Sequence, residues 1–150
     1  MPDQYDLERF VKAQTPVIHQ VRRELVEGQK RTHWMWYIFP QLHGLGRSAT
    51  AQYYGIGSLV EAQAYLRHPV LGARLKECTE LVNDVNGRSA HQIFGSPDDL
   101  KFHSSVTLFS RADPDESVFR EAIEKYFDGR LDARTVEIIR QDEVALDRPT

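Results

Sequence analysis

The sequence is short of the residues that decide many functions outright. It has one cysteine, Cys78, in 150 residues, so no internal disulfide can form and a cysteine-paired metal centre has no second ligand. That usage fits a reducing compartment, and the cytoplasm is the expected location. No apolar run approaches the roughly 18–20 residues needed to span a bilayer. The polar start, Met1-Pro2-Asp3-Gln4, does not have the form of a secretory leader. Neither sign of charge dominates. Lys and Arg number 19 against 22 Asp and Glu, for a net charge of -3, which argues against a surface that coats nucleic acid. The six histidines form no His-x-x-x-His or Glu-x-x-His pair of the kind that holds zinc or di-iron. No metal and no cofactor is expected. There is no repeat and no Gly/Ser/Pro-rich linker, so residues 1–150 suit one domain with one core, and residues 1–5 and 144–150 are expected to be flexible.

What is present is helix punctuation. Asp6 is placed to cap a first helix carrying Leu7, Phe10 and Val11 at helical spacing. Thr15-Pro16 reads as a second start, with Pro16 where its missing N–H costs nothing. That helix carries Val17, Val21 and Leu25 and ends at Gly28. Ser58-Leu59-Val60-Glu61 has the form of a capping box. Pro69 is expected to open the longest helix, with the stripe Leu71, Leu75, Cys78, Val82 and Val85. Ser96-Pro97-Asp98-Asp99, Asp113-Pro114-Asp115-Glu116 and Asp132 mark three further starts, and Asp128-Gly129 a stop. No pair of alternating runs is joined by a hairpin turn. The expected fold is all-α, about seven to eight helices in one compact domain, with no or minimal sheet.

The densest feature is His33-Trp34-Met35-Trp36-Tyr37-Ile38-Phe39-Pro40-Gln41, which holds both tryptophans of the chain. Its composition suits a strand or a short buried helix. A lone strand among helices has no partner for its backbone groups, so a short helix is the expectation. Burial of each large side chain contributes roughly 1.5–3 kcal/mol, which makes the segment a core element. The same rings also suit a pocket wall, because an indole or phenol joins a flat apolar face to a polar tip. The expectation divides the segment. Trp36, Ile38 and Phe39 face the core, whereas His33, Trp34 and Gln41 are tested as pocket walls, with His33 the candidate acid or base.

Two other segments concentrate polar chemistry. Gly44-Leu45-Gly46-Arg47-Ser48 precedes an expected helix, Ser48 to Tyr54. Converging loop N–H groups, a helix N-terminus and the Arg47 fork together suit a phosphate or carboxylate, or else form a capped turn. The spacing is neither a Walker A loop nor a dinucleotide fingerprint. Further on, Lys101 and Ser105 lie four apart, as do Leu100 and Ser104. Hydroxyls in mid-helix need partners, either in a neighbouring helix or in a ligand. Lys101 with Ser105 also has the residue types of a base and nucleophile.

These motifs resemble one family over nearly the whole chain. Asp6-Leu7-Glu8-Arg9-Phe10, the tryptophan segment, Gly44-Leu45-Gly46, Tyr54-Gly55-Ile56, Glu61-Ala62-Gln63-Ala64-Tyr65-Leu66, His68-Pro69, Ile93-Phe94-Gly95, Asp99-Leu100-Lys101 and Ser104-Ser105-Val106-Thr107-Leu108-Phe109 resemble DUF1810, a bacterial and fungal family of unknown function. Val106 stands where that family often has methionine. The resemblance implies a compact helical fold and carries over no activity and no catalytic residue. Some members bear the label calpastatin. Inhibitors of that name are disordered chains, whereas this composition is that of a packed domain.

Two functional readings follow. In the first, the three segments form one pocket for a small anionic ligand, nucleotide-like or ADP-ribose-like, in a binding module or minor enzyme. Trp34 or Trp36 stacks on a planar group, Gly44, Gly46 and Arg47 hold an anion, and Gln41, Lys101, Ser104 and Ser105 orient polar atoms. In the second, the chain is a helical interaction or scaffolding domain, such as a homodimer, with no catalytic activity. RNA binding rests only on Lys30-Arg31 beside the aromatics, against an acidic net charge.

Overall fold

The computed structural model describes residues 3–147. Residues 1, 2 and 148–150 lie outside them, and with them the outer part of both expected flexible termini. Ten helices are described, in place of the seven to eight expected: α1 (Glu8–Gln14), α2 (Ile18–Glu27), α3 (Met35–Ile38), α4 (Ala49–Tyr53), α5 (Leu59–Arg67), α6 (Leu71–Asn83), α7 (Ala90–Phe94), α8 (Asp98–Ala112), α9 (Ser117–Phe127) and α10 (Ala133–Asp147). The all-α class stands. The strand-like feature among the described residues is one isolated parallel bridge, Leu42 to Ile56. Among the described residues, no helix is long and apolar enough to cross a membrane.

Helix α8 is the axis of the molecule. It packs against α3, α5, α7, α9 and α10, while α6 closes the far side against α2, α5 and α9. Its inward residues Phe102, Val106 and Phe109 are fully buried and follow the i, i+4, i+7 spacing of one helix face. Phe102 meets the Phe94 ring at 4.7 Å and the Phe39 ring at 5.0 Å, contacts that add to simple burial. The stripe expected on α6 is also inward, with Leu71, Leu75, Cys78 and Val82 buried. Burial pushes the Cys78 thiol up to about 12, so it serves as a small core residue.

Most caps fall where the sequence places them. The Ser48, Ser58 and Asp132 side chains accept from the N–H groups of Ala51, Glu61 and Thr135. Gly28 and Asp128 end α2 and α9 in the left-handed conformation. Four details differ. Asp6 has φ of 52° and caps nothing. The Asp3 carboxylate instead accepts from the N–H groups of Leu7 and Glu8, both at 2.8 Å, and these bonds hold its carboxyl below the ordinary value. Pro16 does not open α2. A turn through residues 15–17 carries on from α1, and the α2 ladder begins when Val21 N–H donates to Val17. Glu61 accepts from Gly57 N–H, not Ser58 N–H, so that box is half formed. The complete capping box lies at Ser89 and Gln92, opening α7. Finally, α6 has 13 residues and is shorter than α8 and α10, at 15 each.

The α5–α6 corner depends on a glycine. A Cβ on Gly72 would lie 2.1 Å from the Leu66 carbonyl oxygen, so the two backbones are in contact there. His68 supports the turn, its Nδ1 accepting from the N–H groups of Val70 and Leu71. Gly72→Ala is expected to cost about 1–3 kcal/mol in urea unfolding, since backbone must move to admit the methyl. A loss below about 0.5 kcal/mol, the ordinary surface range, would show that the corner yields freely.

Candidate functional site

The aromatic segment is a short helix preceded by Trp34 at the N-cap position. Helical turn geometry then decides which rings go in. Trp34, Met35, Ile38 and Phe39 are buried, whereas Trp36 and Tyr37 are half-buried. The expected division of the tryptophans is therefore reversed. Trp34, expected at a pocket wall, is 1% exposed, and its indole Nε1 donates to Glu24 Oε1 at 3.1 Å. Trp36, expected in the core, reaches the surface.

Glu24 is the hub that holds Trp34. It is fully buried. Its Oε1 also accepts from the N–H groups of Arg31 (2.6 Å) and Thr32 (3.0 Å), and Oε2 from Gln20 Nε2 (2.9 Å) and Thr32 Oγ1 (2.6 Å). Burial alone raises the pKa of such a group. The hydrogen bonds from Thr32, Arg31 and Gln20 outweigh it and hold the carboxyl at about 2. Sequence reasoning missed Glu24. Its signal was position: on α2 it shares a face with Val21, Leu25 and Gly28, at i, i+3, i+4 and i+7.

Beside this hub, two lysines share one carboxylate. Lys30 Nζ lies 2.9 Å from Asp98 Oδ2 and Lys101 Nζ 3.5 Å from Asp98 Oδ1. Each ammonium also faces an indole. Lys30 Nζ is 5.2 Å from the Trp34 ring and Lys101 Nζ 4.9 Å from the Trp36 ring. Lys101, Trp36, Gln41, Met35, Phe39, Ala51 and Tyr54 line a crevice of about 230 Å³ that extends to open solvent. Between its walls there is room for about one water molecule. Three of the expected ligand residues, Trp36, Gln41 and Lys101, thus come together from separate segments. Gly46 joins them at the edge, because a Cβ there would lie 2.5 Å from Ala51 Cβ and 3.4 Å from Gln41 Nε2.

The other candidates lie apart from this wall. The His33 ring is exposed, and only its backbone carbonyl is engaged, by Tyr37 Oη. Gly44 is exposed with φ of 100°. Arg47 is exposed, and its carbonyl accepts from Gln52 Nε2. Ser48 Oγ already takes the Ala51 N–H, one of the donors that an anion at this loop would use. Ser104 Oγ turns to the Leu100 carbonyl and Asp132 Oδ2. Ser105 lies one turn beyond Lys101 on the same face of α8, fully buried, with an Oγ that has no partner. Lys101 and Ser105 are not hydrogen-bonded to each other, as a base and nucleophile must be. Among the described residues, no three His, Cys, Asp or Glu side chains gather into a metal-binding group.

A second structural device was also missed. The Arg9 guanidinium, on α1, reaches across to the loop after α4. Nε donates to the Tyr53 carbonyl (2.9 Å), Nη2 to the Gly55 carbonyl (3.1 Å), and Nη1 to the Tyr5 and Asp6 carbonyls. Nη2 also pairs with Glu61 Oε2 at 3.4 Å. The clasp fixes Tyr54, whose ring packs on Tyr37 at 5.3 Å and Phe10 at 5.7 Å.

The fold and this crevice define an all-helical domain built around an aromatic and lysine-lined wall. The family model described as "Protein of unknown function (DUF1810)" matches residues 4–139, and the chain belongs to that family. Among solved structures, it is similar to the conserved hypothetical protein Rv1873 from Mycobacterium tuberculosis, whose crystal structure at 1.38 Å superposes with a TM-score of 0.91. The two are 56% identical over 92% of this chain and 99% of that one. No curated protein matches.

Proposed function

We propose that the chain is a small-ligand binding module whose site is the Trp36–Lys101 crevice, taking a ligand with one flat ring and one anionic group. The observation that carries this reading is the unequal charge count at Asp98. Two ammonium groups share one carboxylate, which leaves one positive charge beside a half-buried indole. Lys101 is the looser of the two partners and sits over the Trp36 face. A ligand ring taking that face frees the ammonium to pair with the ligand's anion, a charge-assisted contact. A nucleoside monophosphate has this combination. As it stands the crevice holds about one water molecule, so the ring enters only as the Ala51 wall moves away, and the phosphate stays at the solvent edge.

Adenosine monophosphate, adenosine and inorganic phosphate are the probes that test this in a thermal-shift assay. Stabilisation follows RT ln(1 + [L]/Kd), about 2.7 kcal/mol at a hundredfold excess over Kd. The expected result is a clear shift with the monophosphate, a smaller one with either part alone, and none with Lys101→Ala or Trp36→Ala. No shift with any probe, or a shift that survives Lys101→Ala, sinks the reading.

A further inference from the structure

One wall of the crevice differs in kind from the other. Trp36, Met35, Phe39 and Lys101 belong to α3 and α8 and to the loop after α3, elements that the buried Met35, Phe39 and Phe102 anchor in the core. Ala51 belongs to α4, on the loop between Leu42 and Ile56. None of residues 44–52 is buried. Their side-chain and backbone hydrogen bonds stay within the loop: Leu45 N–H to the Leu42 carbonyl, Ala51 N–H to Ser48 Oγ, Gln52 N–H to the Ser48 carbonyl, Gln52 Nε2 to the Arg47 carbonyl, Tyr54 N–H to the Thr50 carbonyl and Gly55 N–H to the Gln52 carbonyl. No hydrogen bond or ion pair joins residues 44–52 to a described residue outside 42–55. The segment's hydrogen bonds are local, and the half-buried Leu45 packs it against the core.

Its two ends, by contrast, are fixed. Leu42 and Ile56 are buried and bridged, with His43 N–H donating to the Ile56 carbonyl at 2.8 Å and Ile56 N–H to the Gln41 carbonyl at 2.9 Å. Gly55 lies so close to His43 that a Cβ would be 2.8 Å from its Cα. The Arg9 clasp holds Tyr53 and Gly55. On the other arm, Gly44 supplies a left-handed pivot at φ of 100° with open space where a side chain would point.

We propose that residues 44–52, carrying α4, are a flap over the Trp36–Lys101 crevice. It pivots at Gly44 and at the Arg9-clasped Tyr53, and lifts Ala51 to admit the ligand, while Tyr54 stays seated on Tyr37 and Phe10. Opening breaks only the hydrogen bonds that cross the pivots, from Tyr54 N–H to Thr50, from Gly55 N–H to Gln52 and from Leu45 N–H to Leu42. It also withdraws the half-buried Leu45 from the core surface, so it occurs far below the free energy of global unfolding. Its gating role rests on the binding reading above; the motion itself is a property of the free protein.

Native-state hydrogen exchange separates the two. In the free protein, the Tyr54 and Gly55 amides, whose bonds to the Thr50 and Gln52 carbonyls cross the pivot, are expected to exchange on the order of 100-fold faster than the amides of α8, with no dependence on low denaturant. The bridge amides of His43 and Ile56 are expected to keep the slow rate of the core. Exchange of the flap amides only with the core, or together with the bridge, overturns the flap. Adenosine monophosphate, where it shifts the melting temperature, is expected to slow the flap amides and not those of α10. Flap amides left unslowed by a probe that binds overturn the gating role. Fast flap exchange with no binding by any probe supports the motion and counts against the binding reading alone.

Discussion

Glu24→Ala is expected to destabilise the protein by about 3–5 kcal/mol in urea or thermal unfolding. The substitution leaves the buried Trp34 indole N–H without an acceptor and unpairs the part-buried Arg31 and Thr32 amides, where an unpaired buried donor costs about 1–3 kcal/mol and an opened cavity adds to it. A loss of that size removes a large share of the 5–15 kcal/mol typical of a domain. The same residue gives the stability curve its acid limb. The folded-state carboxyl sits at about 2 against an ordinary 4.5, so it is depressed on folding. Its contribution is fully present above about pH 4.5 and is lost as pH falls towards 2. At about 1.4 kcal/mol per pH unit, that gap corresponds to roughly 3 kcal/mol. Glu24→Gln should flatten the curve between these limits, and an acid limb unchanged in that variant would place the titration elsewhere.

The Arg9 clasp comes second. Arg9→Ala is expected to cost about 3–4 kcal/mol, because it unpairs buried Glu61 and removes the donors from four backbone carbonyls. Arg9→Lys should restore little of this. A single ammonium cannot span carbonyls on α1's leading turn and on the α4 loop together, as the planar five-donor fork does. A double-mutant cycle with Glu61→Gln separates the ion pair from the carbonyl bonds, and a coupling of about 1–3 kcal/mol is expected. Near-complete rescue by lysine would reduce the clasp to a simple charge contact.

The helices were legible because their signals are local. Ser48, Ser58, Asp132 and Gly28 act within a few residues of where they stand, and a cap needs no knowledge of the rest of the fold. The short helix at Met35–Ile38 followed from the lack of any strand partner for it. The α7 helix was not read, although the Ser89-x-x-Gln92 box was there to find. Asp3 and Asp6 offered the same chemistry at two positions, and the left-handed turn at Asp6 decided between them. At the crevice, composition picked out Trp36, Gln41, Gly46 and Lys101, but it could not say which tryptophan turns inward. That choice depends on Glu24, ten residues before Trp34 and on another helix. Likewise, Lys101 meets Trp36 across 65 residues of chain, a pairing that local patterns do not encode. Arg9 is more remote from local signals still, since its acceptors are backbone carbonyls, which every residue has.

The clasp also has a practical bearing on how the protein is handled. Asp3 caps α1, α1 presents Arg9, and Arg9 holds the carbonyls beside Tyr54 at the crevice. Three residues thus relay the condition of the chain's leading edge to the proposed ligand seat. Trimming by a protease past Asp3, or a bulky fusion placed directly ahead of it, would be felt at Tyr54 and at Glu61 on α5, while α6 to α10 keep their helices. Batches that differ only at that edge would then share a circular-dichroism spectrum and differ in binding.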